Sequence, residues 1–422
     1  MIVISGAQVW RRSGLAEATV VIDGQRVVDV GDVTAPAGAR VIEAAGAVLG
    51  PGLVDLHVHF RDPGQTWKED ISTGSLAAVA GGFTAVVAMP NSDPPTDNVK
   101  TATDILRRGA EVGLVDIQVA GALTRGREGL EMAEFDSMYE AGVRLFTDDG
   151  DSVADSGLLR RIMVYLSDLP GAVVAEHAED VMLTRGGHVN DGMMAASLGL
   201  GGMPAVAEVT VVGRDLALAA ETAARLHLQH LSCSGSVDLI RRAKESGVAV
   251  TCEVTPHHLA LDESAVGGLD PNFKMYPPLR TAADRQALIA ALEDGTVDAV
   301  ATDHAPHSAL EKDVPFEEAP KGVIGLETSA SVTWQALRGD AGPFFERMSV
   351  APARIAGLER HGQPVEPGSM ANLVLFDPER SWVPRVFRSK SSNSPFLGTR
   401  LTGRVMATIH DGAVVYEAAP DG

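Results

Sequence analysis

Twelve histidines stand against seven lysines in this 422-residue chain, and several of the histidines fall where they can share a ligand. His57 and His59 lie two apart at the end of the apolar run GLVDLHVHF. Side chains two apart on a strand point to one face, so two imidazoles converge there and can hold one zinc. Arg61 and Pro63-Gly64 follow at once, a context that separates this His-x-His from a solvated surface pair. His177 and His230 each close a further apolar run. Each can add an imidazole to a second metal, or can be a hydrogen-bonded core histidine. Alternation favours His230 over His227, because His230 shares its face with Leu226 and Leu228.

Two dications close together repel strongly and need an anionic bridge. A carboxylated lysine is one solution, but no lysine occurs between Lys100 and Lys244. The turn Asp148-Asp149-Gly150 offers a carboxylate instead. Asp149 shares a face with Val143, Leu145 and Thr147, whereas Asp148 sides with Arg144 and Phe146. Asp149 is therefore the preferred bridge; the bland alternative makes both aspartates helix caps. Asp303, inside Thr302-Asp-His-Ala-Pro-His307, is placed to ligate the first metal and to act as general base toward an activated water. His304 has the opposite parity and is expected to be structural. Asp55 and Glu176 are expected to support the ligands by hydrogen bonds.

The elements that must position these groups follow from the pattern. Eight short apolar runs begin near residues 52, 83, 114, 142, 171, 226, 248 and 297, with Ala- and Leu-rich helical stretches between them. The first five are spaced by about 30 residues, one strand-helix unit. Eight units predict a (β/α)8 barrel, in which chemistry collects at the C-terminal ends of the strands. Residues 51–361 are assigned to that barrel. Residues 1–50 and 362–422 read as strands and turns, and are expected to form one β-sandwich domain from both termini.

Composition sets outer limits. With 35 basic and 56 acidic side chains the formal charge is −21, which disfavours nucleic acid and anionic membranes as partners. No apolar run approaches the roughly 18 residues of a spanning helix. The opening MIVISGAQVWRR does not read as a secretory leader. Cys233 and Cys252 are then expected as free thiols in a reducing cytoplasm.

At this point the residues resemble a known family. Asp55-x-His-x-His59-x-Arg61-x-Pro-Gly64, Met89-Pro-Asn-Ser92, Phe146-Thr-Asp-Asp-Gly150, His230-Leu-Ser232, the Thr302–His307 motif, Gly322-Val-Ile-Gly-Leu-Glu-Thr328 and Ser389-Lys-Ser-Ser-Asn-Ser-Pro-Phe-Leu-Gly398 are similar to the dihydroorotases of the amidohydrolase superfamily. The likeness is to the bacterial long-chain type with a bridging aspartate, and it covers nearly the whole chain. It implies two zinc ions and reversible hydrolysis of the cyclic amide of (S)-dihydroorotate to N-carbamoyl-L-aspartate, a step of pyrimidine synthesis. By motif, His57, His59 and Asp303 hold one zinc, His177 and His230 the other, and Asp149 bridges. Arg61, Asn91 and His307 match substrate contacts, and Lys321-Gly322 fall where the backbone meets the ring. One departure stands out: Tyr276 in Lys274-Met-Tyr276-Pro-Pro-Leu-Arg280 replaces an asparagine usual in the family. Lys321 likewise replaces an apolar residue.

In the expected chemistry the metals activate water and polarise the ring carbonyl. Asp303 takes a proton from the nucleophile and returns it to the leaving ring nitrogen. The planar guanidinium of Arg61 selects a carboxylate-bearing ring. Three alternatives stand beside this. A hydantoinase or allantoinase would typically carry the bridging lysine that is missing here. A non-catalytic homologue scaffolding aspartate transcarbamoylase would be expected to lose ligands. A barrel whose histidines merely pack would hold no zinc. Association with aspartate transcarbamoylase in addition to catalysis, and a homodimer, stay open.

Overall fold

A computed structural model describes residues 1–419. Eight parallel strands close into a barrel: β6 (Leu53–Val58), β7 (Phe83–Ala88), β8 (Asp116–Val119), β9 (Leu145–Phe146), β10 (Val173–Glu176), β13 (Leu226–Leu228), β14 (Val250–Val254) and β15 (Ala299–Val300). Single bridges complete the ring, Gly121 with Phe146 and Val58 with His304. Every residue of β6 and β7 is buried, as expected for strands covered on both faces. Each of the eight predicted runs supplies one strand. Two are shorter than their runs suggest, since β9 and β15 have two residues each.

The remaining long strands come from the two ends of the chain. β1 (Ile2–Arg11), β2 (Gly14–Asp23), β3 (Arg26–Gly31), β4 (Arg40–Glu43) and β5 (Val48–Pro51) join β16 (Leu373–Trp382), β17 (Leu401–His410) and β18 (Ala413–Glu417) in one eight-stranded sheet. β5 pairs antiparallel with β16, which ties the two ends together. Alternation gives the sheet two jobs. Leu373 and Leu375 face a core of its own with Ile4, Val20, Leu49 and Ile409. Val374 and Phe376 point the other way and join the barrel's core. There Phe376 stacks on Phe344 at 5.3 Å and meets Trp334 edge-on at 5.3 Å. Gly403 leaves room for this, because a Cβ there would lie 2.5 Å from the Phe376 ring.

Between β10 and β13 the spacing stretches to hold an insert. It contains a two-stranded parallel ladder, β11 (Val189–Asn190) with β12 (Gly202–Met203), and short helices. Buried Arg280 pins this insert: its guanidinium donates to Asn190 Oδ1 (2.9 Å), to Met203 O and to Ser232 Oγ (3.0 Å). Buried Lys274 donates to three carbonyls, of Phe316, Glu317 and Ala319, at 2.7–2.8 Å, and so holds the loop leading to Lys321. Among the described residues no helix is long and apolar enough to cross a membrane. Cys233 and Cys252 are free and buried.

Candidate active site

The six proposed ligands all lie at or just beyond the C-terminal ends of barrel strands. Asp149 sits at their centre. Its Oδ2 is 3.2 Å from His57 Nε2 and 3.5 Å from His59 Nε2. Its Oδ1 is 3.2 Å from His230 Nε2 and 3.5 Å from His177 Nδ1. One carboxylate thus offers one oxygen to each pair of histidines. Asp303 Oδ1 lies 2.9 Å from His59 Nε2 and 3.7 Å from His57 Nε2. Burial opposes charge on Asp149, but the surrounding imidazoles outweigh it and hold its carboxyl well below the usual range.

The residues present fit a divalent metal centre. His57 Nε2 is buried, has no hydrogen-bond partner among the described residues, and faces two carboxylates. Three imidazoles have their other nitrogen engaged: His57 Nδ1 donates to Glu253 (2.9 Å), His59 Nδ1 to Asn91 Oδ1 (2.9 Å) and His177 Nε2 to Glu179 (3.0 Å). Each bond fixes the tautomer that leaves a lone pair facing the cluster, which is how metal-ligating histidines are held. Four imidazoles and two carboxylates form a donor set suited to zinc and similar ions.

A cavity of about 220 Å³ opens onto this cluster. Arg61, Asn91, Tyr276, His307, Lys321 and Gly322 all line it, together with the ligands other than His57. Burial draws the Arg61 guanidinium down to about 10, so it is charged at neutral pH, and its Nε has no protein partner among the described residues. His307 Nε2 donates to Lys321 O at 2.8 Å. Burial, then the Arg61 charge, push that imidazole down to about 2, so it is neutral and its Nδ1 is left as an acceptor. Gly322 (φ +119°) has no room for a side chain, since a Cβ would lie 2.7 Å from Ala305 Cβ. Its N–H is spent on Lys274 O and its carbonyl accepts from Asn393. The Tyr276 ring packs 4.7 Å from His177, and Lys321 Nζ lies 3.8 Å above it. Burial and the Glu179 carboxylate keep the phenol protonated.

The neighbours read as supporting groups are also placed. Asp148 turns away and accepts from Leu123 N, Thr124 N and Thr124 Oγ1. Asp55 accepts from His57 N and from Thr302 N and Oγ1 at 2.6–3.1 Å. His304 contacts Glu69 at 3.3 Å and accepts from Gly325 N. Glu176, expected to hydrogen-bond a ligand, does not: it is buried with both carboxyl oxygens unpartnered among the described residues, and burial pushes its pKa well up. Four residues escaped the sequence reading. Glu253 takes both His57 and His227 (3.0 Å), and Glu179 takes His177. Asn393 donates to Ala305 O and Gly322 O and accepts from His307 N. Glu69 receives Ser389 Oγ and Lys390 N. A glutamate inside the apolar run VAVTCEV was the one available signal for Glu253.

A closed barrel carrying this His-x-His, His, His and two-aspartate arrangement, with a sheet built from both termini, defines a protein of the amidohydrolase superfamily. The solved structure of L-hydantoinase (dihydropyrimidinase) from Arthrobacter aurescens superimposes with a TM-score of 0.88 at 26% identity, covering 99% of this chain and 96% of that one. Residues 46–236 match the family model described as dihydro-orotase-like. The curated dihydroorotase of Streptomyces coelicolor is 46% identical over 397 residues, covering 92% of each chain. That of Leifsonia xyli is 43% identical over 429 residues, covering 100% of this chain and 96% of its own. The chain belongs to the dihydroorotase family.

Proposed function

We propose that this chain is a dihydroorotase, interconverting (S)-dihydroorotate and N-carbamoyl-L-aspartate in cytoplasmic pyrimidine synthesis. The observation that carries this is a small cavity with three of the four imidazoles, His59, His177 and His230, and both aspartates on its floor and with Arg61 and Asn91 on its wall. His57, His59 and Asp303 would hold one zinc, His177 and His230 the second, with Asp149 shared between them. Bound there, the ions supply Lewis-acid activation of water and of the amide carbonyl. The chain's own groups do the rest. Arg61 takes the ring carboxylate through paired charge-assisted hydrogen bonds. Asn91, its Oδ1 occupied by His59, turns its amide N–H donors to the same carboxylate. His307 Nδ1 accepts a ring N–H. Asp303 accepts a proton from the attacking water and delivers it to the departing ring nitrogen. Gly322 keeps the wall clear for the ring.

Charge agrees locally with an anionic substrate although the whole chain is strongly acidic, because Arg61 brings a half-buried guanidinium to the cavity. A hydantoinase reading accounts for the fold but leaves Arg61 without a carboxylate to bind. We also propose the division into a composite sheet domain, 1–50 with 362–422, and a barrel, 51–361. A homodimer, or a complex with aspartate transcarbamoylase, is the assembly this function admits, and the native mass of the purified chain measures it. The deciding experiment is an assay of dihydroorotate hydrolysis with metal analysis on the same sample. Turnover with two zinc per chain is expected; zinc-loaded protein that opens hydantoin but not dihydroorotate overturns the assignment.

A further inference from the structure

A second group of metal-type side chains lies at the other end of the barrel. Asp116 is the first residue of β8, so it faces away from the catalytic rim. His361 comes from the turn after the helix Ala351–Ala356, and His410 is the last residue of β17. His361 Nε2 is 2.7 Å from Asp116 Oδ2, and His410 Nε2 is 3.4 Å from Asp116 Oδ1. The three donor atoms lie within 4.8 Å of one another. Both imidazoles are more than nine-tenths buried, at 5% and 7% exposure.

Two further observations point to a ligand. His410 Nε2 is buried and aimed at Asp116, yet it is not aligned to donate and has no hydrogen-bond partner among the described residues. An unsatisfied buried nitrogen beside a carboxylate is costly unless something lies between them. His361 is also oriented from behind, with Nδ1 3.1 Å from Thr84 Oγ1, which itself reaches Leu53 O at 3.5 Å. The hydroxyl holds the ring in place, and His361 Nε2, which donates to Asp116 at 2.7 Å here, would exchange that proton for a cation. Tetrahedral zinc with bonds of about 2.0–2.1 Å places its donors roughly 3.3 Å apart. The 3.4 Å pair has about that separation; the 2.7 Å pair, made to the other oxygen of Asp116, must open, and the two imidazoles, whose nitrogens lie within 4.8 Å, must settle around the cation. A cavity of about 430 Å³, lined by Asp116 and His410 among others, gives an entry path and room for a water as fourth ligand.

We propose that Asp116, His361 and His410 form a binding site for a divalent cation of the zinc class, separate from the catalytic cluster, that ties the barrel to the sheet domain. Two imidazoles and one carboxylate, with an open position, select zinc or cobalt over calcium or magnesium. The site joins three segments far apart in sequence, so its cation acts on how the two parts of the molecule are held together rather than on turnover.

Metal content of the full chain tests this, after equilibration with micromolar zinc and removal of loosely held metal. Wild type is expected to hold one zinc per chain more than His410→Gln and Asp116→Asn, while both variants keep their dihydroorotate turnover. Equal zinc content in wild type and in a folded variant overturns the site. Should either variant fail to fold, wild-type crystals grown with zinc decide. An anomalous peak between Asp116, His361 and His410 supports the site, and its absence while the catalytic cluster is filled overturns it. Neither readout depends on which cyclic amide the enzyme opens.

Discussion

At the scale of single residues, the proposed ligand set is read from side-chain alternation carried past the strand ends. The parity that favoured Asp149 over Asp148, and His230 over His227, matches where those side chains point: toward the cluster in one case, onto Thr124 and Glu253 in the other. Glu253 and Glu179 were not legible, because an acid that orients a histidine comes from another strand or loop and carries no motif of its own. Asp303→Asn keeps the shape and an oxygen donor but cannot carry a proton. Turnover is expected to fall by about 10²–10⁴-fold with zinc partly retained; near-wild-type turnover removes Asp303 from that role. Tyr276 and Lys321, the two departures from the family pattern, touch each other. They read as one coupled change, with the ammonium resting on the ring that shields His177. A double-mutant cycle on Tyr276→Asn and Lys321→Leu is expected to show a coupling of about 0.5–2 kcal/mol in stability. Additive effects would mean the contact is incidental.

Among elements, the eight barrel strands could be placed from their apolar runs, while the segment 388–394 could be matched by motif but not given a task. The structure shows it as a strap across the barrel mouth. Glu327 accepts from Arg388 N and Ser389 N, Ser389 and Lys390 reach Glu69, and Asn393 clasps the loops after β15. Asn393→Ala strands two buried carbonyls and one N–H, each costing about 1–3 kcal/mol if nothing replaces the partner. Because these groups set His307 and Gly322, KM for dihydroorotate is expected to rise more than kcat falls; a pure kcat loss would point elsewhere. Glu327 also carries a pH signature. Burial raises its pKa from 4.5 to about 7, so the folded chain holds that proton more tightly than the unfolded one. Its contribution to stability is full below about pH 4.5 and is lost as pH rises through 7. Glu327→Gln should therefore gain in Tm relative to wild type between pH 5 and pH 8.5. A gap that narrows or reverses over that range refutes the assignment.

For the molecule as a whole, the sheet and the barrel share one aromatic seam through Phe376, Phe344 and Trp334. Sequence alone suggested that the two ends pair, from their matching strand-and-turn character, but gave no register. Phe376 is 1% exposed, and Phe376→Ala is expected to cost about 3–5 kcal/mol. Because the seam belongs to both parts, calorimetry should show a single unfolding transition moved to lower temperature; two separated transitions would mean that the parts unfold independently.

The pairing of β5 with β16 also has a consequence in time. β5 ends at Pro51 and β16 begins at Leu373, so its partner strand leaves the ribosome only after roughly 320 further residues. At about 5–20 residues per second that is on the order of 15–65 s. Throughout that interval β5, which can pair with β1 on one side, offers its other edge, Val48-Leu49-Gly50-Pro51, unpaired and without the cover of β16. Such an edge invites pairing with foreign strands. Nascent chains of this protein therefore have a defined window of vulnerability, which opens when β5 emerges and shuts when Leu373–Phe376 arrive.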